Sequence, residues 1–284
     1  MKSITVGGVE ITALTDVEGP FVKLSQVFPG VRDDQWTPYL RRYPWAFADS
    51  RTLYGRVGAY VIRAPSQTLL VDTGVGPGAM GMRGRLMENL EESGVVPEDV
   101  DTVLFTHLHG DHVGWSLASD GEPAFPQARY VAQQTEWEAA EPYLRKAMSS
   151  LENLGVLDLL HGEEFLSDEL AAIPTPGHSP GHASLLVSSR GEQALVLGDV
   201  FAHPAQVTEQ TWNVTFDADK EQSAFTRAQV LDWVAADGIT VAAGHVPGSG
   251  FGRVVREDGR LFWLPLDAPE KPEPVPRGRR SNLP

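Results

Sequence analysis

The run His107-Leu108-His109-Gly110-Asp111-His112 follows the apolar segment Thr102 to Thr106, so a strand must lead straight into a tight turn that carries four metal-binding groups. A strand sends alternate side chains to one face. His107, His109 and Asp111 can therefore converge on one side, while the turn brings His112 round to a neighbouring point. Donors in two such groups suit two cations rather than one. The chain has only 8 histidines, which makes a chance H-x-H-x-D-H rare.

Three further donors lie downstream, each where an extended segment meets a Gly or Pro turn: His178 in TPGHSPGH, Asp199 in LVLGDV and His245 in VAAGHVPG. Imidazole with carboxylate suits Zn(II), and also iron, manganese or cobalt, whereas the absence of Cys removes the thiolate of a closed structural zinc site. Two divalent cations, zinc first, are the expected cofactors.

At these positions the chain resembles the metallo-β-lactamase superfamily, whose H-x-H-x-D-H, later His, bridging Asp and final His match His107, His109, Asp111, His112, His178, Asp199 and His245 in order. The resemblance extends from VEITALTD near the start, through LLVDTG at 69–74, to a hairpin ending near Leu266. Within the superfamily it is similar to the methyl parathion hydrolase and acyl-homoserine lactonase branch. It implies an α/β chain folded as a four-layer αββα sandwich with the site at one edge. It further implies that His107, His109 and His178 hold one metal, that Asp111, His112 and His245 hold the second, and that Asp199 bridges them.

Composition agrees with one core: 284 residues, 42% hydrophobic and 21% charged, fit a single metallo-hydrolase domain over 1–268. The stretch 269–284, with Pro269, Pro272, Pro274 and Pro276 among charges, reads as an extended tail. The N-terminal MKSITVGGVEITALTD alternates like a strand, no segment matches a signal peptide, and no run approaches the ~20 apolar residues of a membrane span, so a cytoplasmic enzyme is expected. A net charge of −15 opposes binding to nucleic acid or anionic membrane. The expected partner is a small-molecule substrate, with a homodimer open.

Along the chain, Ala59–Ala64 and Leu69–Thr73 read as a hairpin, Arg83–Ser93 as a helix ended by Gly94, and Arg129–Ala132 as a strand. Helical signal follows from Glu136 to Leu154, with Pro142 kinking or starting a helix. Leu185–Val187 pairs with Ala194–Leu197 across Ser189-Arg190-Gly191-Glu192. Asp217 or Asp219 caps a helix that Gly238 stops, before strand Ile239–Ala243 presents His245.

Two motifs compete with the metal reading. Gly177-His178-Ser179-Pro180-Gly181 fits the G-x-S-x-G nucleophile elbow, and Ser179, Asp199 and His245 follow the order of an α/β-hydrolase triad. An elbow requires a helix after the turn, yet HASLLVSS reads as a strand. Gly76 to Gly81 matches G-x-G-x-x-G, but Pro77 lacks the amide hydrogen a phosphate cradle would use. Asp72 can accept from a ligand imidazole or cap a turn. His182 is expected to pack or bond to backbone rather than touch metal, and His161 and His203 to be surface or core residues.

Two cations lower the pKa of a shared water toward ~7, so hydrolysis by a metal-bridging hydroxide is the default reaction; the resemblance implies that Asp111, matching an aspartate that both ligates metal and handles protons, returns the proton to the leaving group. The aromatic-rich stretch 20–54, with Phe21, Phe28, Trp36, Tyr39, Tyr43, Trp45, Phe47 and Tyr54, is either a wall over the site, suited to a neutral apolar ester or lactone, or a cover for core or a dimer contact. A phosphotriester is the runner-up substrate, and a mononuclear iron dioxygenase is the oxidative alternative. Glyoxalase II is disfavoured because little chain follows His245, and true β-lactamases because Asp199 holds the bridging position.

Overall fold

The computed structural model describes residues 2–78 and 83–267. The tail 269–284 and the part of the glycine-rich match beyond Gly78 lie outside the described residues.

Among the described residues, two mixed sheets organise the fold, one of eight strands and one of seven. The first runs in space from Lys2–Val6 through Val9–Lys23, Thr52–Arg63, Thr68–Val71, Thr102–Leu104 and Arg129–Gln133 to Leu157–Leu160, with Phe47–Asp49 paired on Thr52–Arg63. The second runs from Arg260–Pro265 through Phe251–Glu257, Thr240–Ala242, Glu192–Val196, Ala183–Ser189 and Leu170–Pro174 to Glu164–Phe165. Strands with long antiparallel partners occupy the N-terminal part of the first sheet, and the short strands Thr68–Val71, Thr102–Leu104 and Arg129–Gln133 pair in parallel. Thr102–Leu104 is buried at every position, as a parallel strand covered on both faces must be.

Ile11, Ile62, Leu69, Val71 and Leu104 of the first sheet meet Leu185, Val187, Val196 and Phe251 of the second in one core. Leu86, Leu90, Trp137, Leu144 and Leu151 cover the outer face of the first sheet. The outer face of the second is covered by Val230, Leu231 and Val234 of the helix Lys220–Asp237. Helix, sheet, sheet and helix give the αββα sandwich. Each fully buried Val, Leu or Phe contributes roughly 1.5–3 kcal/mol, so these three cores dominate the stability.

The local signals translate with shifted ends. Leu86–Glu92 is the helix expected at Arg83–Ser93; its start is later because Gly84 N, Arg85 N and Leu86 N donate to Gly76 O, Asp16 O and Asp16 Oδ1. The continuous helical signal from Glu136 divides into Gln134–Ala139, Pro142–Ala147 and Ser149–Asn153. Pro142 starts the second of these, because its missing N–H is harmless only in a first turn. Arg190 and Gly191 both take positive φ, 52° and 82°, the two-residue turn that matches strand twist in a hairpin. Asp219, not Asp217, caps the long helix by accepting from Glu221 N and Gln222 N, and Gly238 ends it in the left-handed region.

Phe28, Trp36, Tyr39, Tyr43, Trp45 and Phe47 are buried in the outer core of the second sheet. Phe28 and Trp36 meet edge to face at 5.1 Å, and Trp36 and Phe47 close around the buried ring of His203. Phe21 and Tyr54 stay partly exposed. Among the described residues, no helix is long and apolar enough to cross a membrane.

Candidate metal centre

The seven sequence-predicted residues meet at one edge of the sandwich, where strands from both sheets end. Leu104 closes a strand of the first sheet just before His107. In the second sheet, Pro174, Val196 and Ala242 close the strands that precede His178, Asp199 and His245. Glu192–Val196 and Thr240–Ala242 run in parallel, so Asp199 and His245 emerge side by side.

The donor atoms form interlocking sets. His107, His109 and His178 form one cluster, Asp111, His112 and His245 another, and His107, His112 and Asp199 a third between them, all with donor atoms within 4.8 Å of one another. His109 Nδ1 lies 3.0 Å from both His107 Nε2 and His178 Nε2. Asp199 reaches both sides, with Oδ2 at 3.4 Å from His178 Nε2 and 3.1 Å from His245 Nε2. Asp111 Oδ2 lies 3.8 Å from the Nε2 atoms of both His112 and His245.

Hydrogen bonds on the far side of each ring set its orientation. His112 Nδ1 donates to Asp72 at 2.8 Å, and His178 Nδ1 to Asp217 at 3.0 Å. His245 Nδ1 donates to the carbonyl of Arg56 at 2.9 Å. Thr106 Oγ1 donates to Asp72 and so accepts from His107 Nδ1 at 3.1 Å. In the neutral tautomer each of these rings presents a bare Nε2 to the centre, as a metal site requires. A proton on His109 Nδ1 can serve one of its two neighbours well, whereas a cation serves all three nitrogens. His112 Nε2 and Asp199 Oδ1 are buried without any hydrogen-bond partner. Buried polar atoms are normally satisfied, so these two orphans, aimed into the cluster, fit a metal ion.

Electrostatics agree. Burial pushes His107 well below the usual imidazole range and also lowers His109. On His112 burial is outweighed by Asp72, Asp199 and Asp111, which raise it to about 10; on His245 Asp199 and Asp111 do the same, to about 9. Burial alone would raise Asp199, yet His245 and His112 hold it well below the carboxylate range. The carboxylates create a field that favours positive charge in the cluster.

Asp72 takes the imidazole-orienting role, and its φ of 62° turns the chain so that it accepts from both Thr106 N and His112. His182 bonds to backbone: Nδ1 donates to Thr175 O and Nε2 accepts from Asp199 N at 2.8 Å. Burial holds it neutral, with its pKa pushed down to about 3. His161 is exposed and His203 buried.

The serine triad is not assembled. Ser179 Oγ donates to Glu136 Oε2 at 2.7 Å, and the strand Ala183–Ser189 follows where an elbow needs a helix. The two glycines of that motif serve close packing instead. A Cβ at Gly177 would lie 2.3 Å from Ser223 N, and one at Gly181 2.2 Å from Glu136 N.

Asp217 and Glu136 are site residues that sequence reasoning missed. Asp217 stands where a helix cap is expected, and only its fully buried side chain against His178 reveals its part. Glu136 lies in a helical run with no motif around it.

The model of the metallo-β-lactamase superfamily matches residues 55–231, more than half of the chain. The chain belongs to that superfamily. Among curated members, an N-acyl homoserine lactonase from Bacillus sp is 29% identical over 163 residues, 50% of this chain and 62% of the relative. Another, N-acyl homoserine lactonase AiiB from Agrobacterium fabrum, is 32% identical over 112 residues, 33% of this chain and 38% of the relative. The matched part thus spans less than two thirds of the length of these curated relatives. Among solved structures, hydrolase AbOPH of the beta lactamase superfamily is similar at TM-score 0.84 and 26% identity, covering 93% of this chain and 97% of that one. AidC, a dizinc quorum-quenching lactonase, has the same fold at TM-score 0.84 and 20% identity, covering 94% and 97%.

Proposed function

We propose that this superfamily member is a dinuclear metal-dependent hydrolase acting on a neutral, apolar carboxylic ester or lactone, with zinc as the first choice of metal. The observation that carries the reading is the convergence of seven donors around two orphaned buried atoms, His112 Nε2 and Asp199 Oδ1. His107, His109 and His178 would hold one ion, Asp111, His112 and His245 the other, and Asp199 would bridge. Two such cations, when bound, supply a water of lowered pKa and polarise the oxygen under attack. Asp111 is the most exposed carboxylate of the cluster, its side chain 29% accessible against 5% for Asp199. That exposure supports Asp111 as the group that meets substrate and returns a proton to the leaving oxygen.

The surface next to the metal-motif turn supports an apolar substrate. A cavity of about 580 Å³ lies beside the metal-motif turn, lined by Gly110, Val113, Leu117, Leu144 and Met148 among others. Gly110, between His109 and Asp111 in sequence, is among the lining residues, and a Cβ there would meet open space. An acyl or aryl arm fits this lining better than a charged group. The lactonases among the relatives favour a lactone over a phosphotriester. With Ser179 bonded to Glu136, this reading does not call on Ser179 as a nucleophile.

A screen of N-acyl homoserine lactones, aryl esters and phosphotriesters, with zinc-loaded and chelated protein, tests the proposal. Turnover of a lactone or ester that chelation abolishes and zinc restores is expected. Activity that survives complete chelation, or phosphotriesters turned over far faster than lactones and esters, would sink it. A single bound iron would point to the oxidative alternative.

A further inference from the structure

Glu136 is buried, 4% exposed, and belongs to neither ligand set. It sits on the helix Gln134–Ala139, directly after the strand Arg129–Gln133 of the first sheet. Its carboxylate reaches in two directions. Oε1 accepts from Leu108 N at 3.0 Å, the amide between His107 and His109. Oε2 accepts from Ser179 Oγ at 2.7 Å and Gly181 N at 2.9 Å, on the loop that carries His178. That loop leaves the second sheet, so one side chain ties together two ligand-bearing segments from opposite halves of the sandwich. The packing at Gly181, where a Cβ would collide with the backbone of Glu136, presses the same loop against the same helix.

We propose that Glu136 is a positioning residue that sets the spacing between the His107–His109 turn and the His178 loop, and with it the geometry of the three-imidazole subsite. His112 and His245 are held on their far sides by Asp72 and the Arg56 carbonyl, and none of Asp111, His112 and His245 bonds to Glu136, whose partners are Leu108 N, Ser179 Oγ and Gly181 N. The two subsites therefore differ in what holds them. All three acceptor contacts require bare oxygens. In Glu136→Gln, an amide nitrogen must face either Leu108 N or Gly181 N whichever way the side chain turns, so the link opens on one side while volume is kept. The G-x-S-x-G match acquires a purpose that is not nucleophilic: Ser179 is a donor to the clamp.

This inference rests on the dinuclear reading. Wild-type and Glu136→Gln proteins are stripped, titrated with Zn(II) against a competing chelator, and followed by the imidazole NMR resonances of His109 and His245, which separate the two subsites. The variant is expected to bind zinc ten- to a hundredfold more weakly at the three-imidazole subsite, and within about threefold of wild type at the other. Ser179→Ala, which removes one of the two bonds to Oε2, should show a smaller loss at the same subsite. It also serves if Glu136→Gln does not fold. Equal weakening at both subsites, or none at either, overturns the inference. Wild-type protein that takes up fewer than two zinc ions overturns the dinuclear reading and this inference with it, whereas two ions with unchanged variants overturn the inference alone.

Discussion

Asp217 joins His178 to Arg227: one carboxylate oxygen lies 3.0 Å from His178 Nδ1, and the other lies 3.6 Å from the guanidinium. Arg227 is fully buried on the long helix Lys220–Asp237 and also donates to the carbonyls of Val200, Gln210 and Trp212. The imidazole of His178 is thus anchored, through one acid, to the helical layer outside the second sheet.

Replacing Asp217 with Asn keeps an acceptor for Val214 N or His178 but removes the charge that faces Arg227. Zinc affinity should fall ten- to a hundredfold. Leaving a buried guanidinium without its partner should also cost about 3–5 kcal/mol. Chelator competition and urea unfolding would show both losses; an unchanged affinity would remove Asp217 from the site.

Asp111→Asn separates proton handling from folding. Its partly exposed position makes a stability change above about 1 kcal/mol unexpected. Turnover should drop by a factor on the order of a hundred or more. The comparison must be made at matched metal content, and a fully loaded variant with near-parental turnover would refute the assignment.

Metal removal should destabilise the fold as well as silence it. An ion that binds only the folded chain stabilises it by about 2.7 kcal/mol at a free concentration a hundred times its Kd. Thermal melting of chelated protein should move upward with added zinc, saturating at two equivalents. No shift with zinc would argue against a cation in the cluster.

His203 provides a pH signature away from the metal cluster. Burial among aromatic rings pushes its pKa down to about 3, against ~6.5 in an unfolded chain. As pH falls below 6.5 the unfolded chain binds a proton that the folded ring refuses, so this contribution is complete above 6.5 and is lost on acidification toward 3. Between pH 6.5 and 5 the loss is about 2 kcal/mol. In His203→Asn, which can still accept from Ala205 N, stability should fall less steeply over that interval. Parallel pH profiles for the two proteins would contradict this.

Gly177 has φ of 135° and no room for a side chain beside Ser223. Gly177→Ala should destabilise by a few kcal/mol and weaken zinc binding by displacing His178. A variant with wild-type melting and zinc affinity would show the loop to be free to move.

The superfamily and the seven side chains that converge at the sheet edge were legible because metal coordination needs particular residue types, and the turn after Thr102–Leu104 packs four of them into six positions. The hairpin at Arg190-Gly191 and the cap at Asp219 were legible because their causes are local. Helix ends around Leu86 and the breaks between 134 and 153 were not, because neighbouring contacts choose among nearly equal local options.

Sequence by itself determined which groups could bind metal, since donor chemistry belongs to side chains whatever surrounds them. Only the tertiary structure decided what holds those groups in place. Glu136, Asp217 and the Arg56 carbonyl act through contacts between segments far apart in the chain, and burial rather than spacing makes each one count. The aromatic stretch shows the same division: its rings were plain in the sequence, but folding placed six of them in the outer core of the second sheet, where apolar area is removed from water.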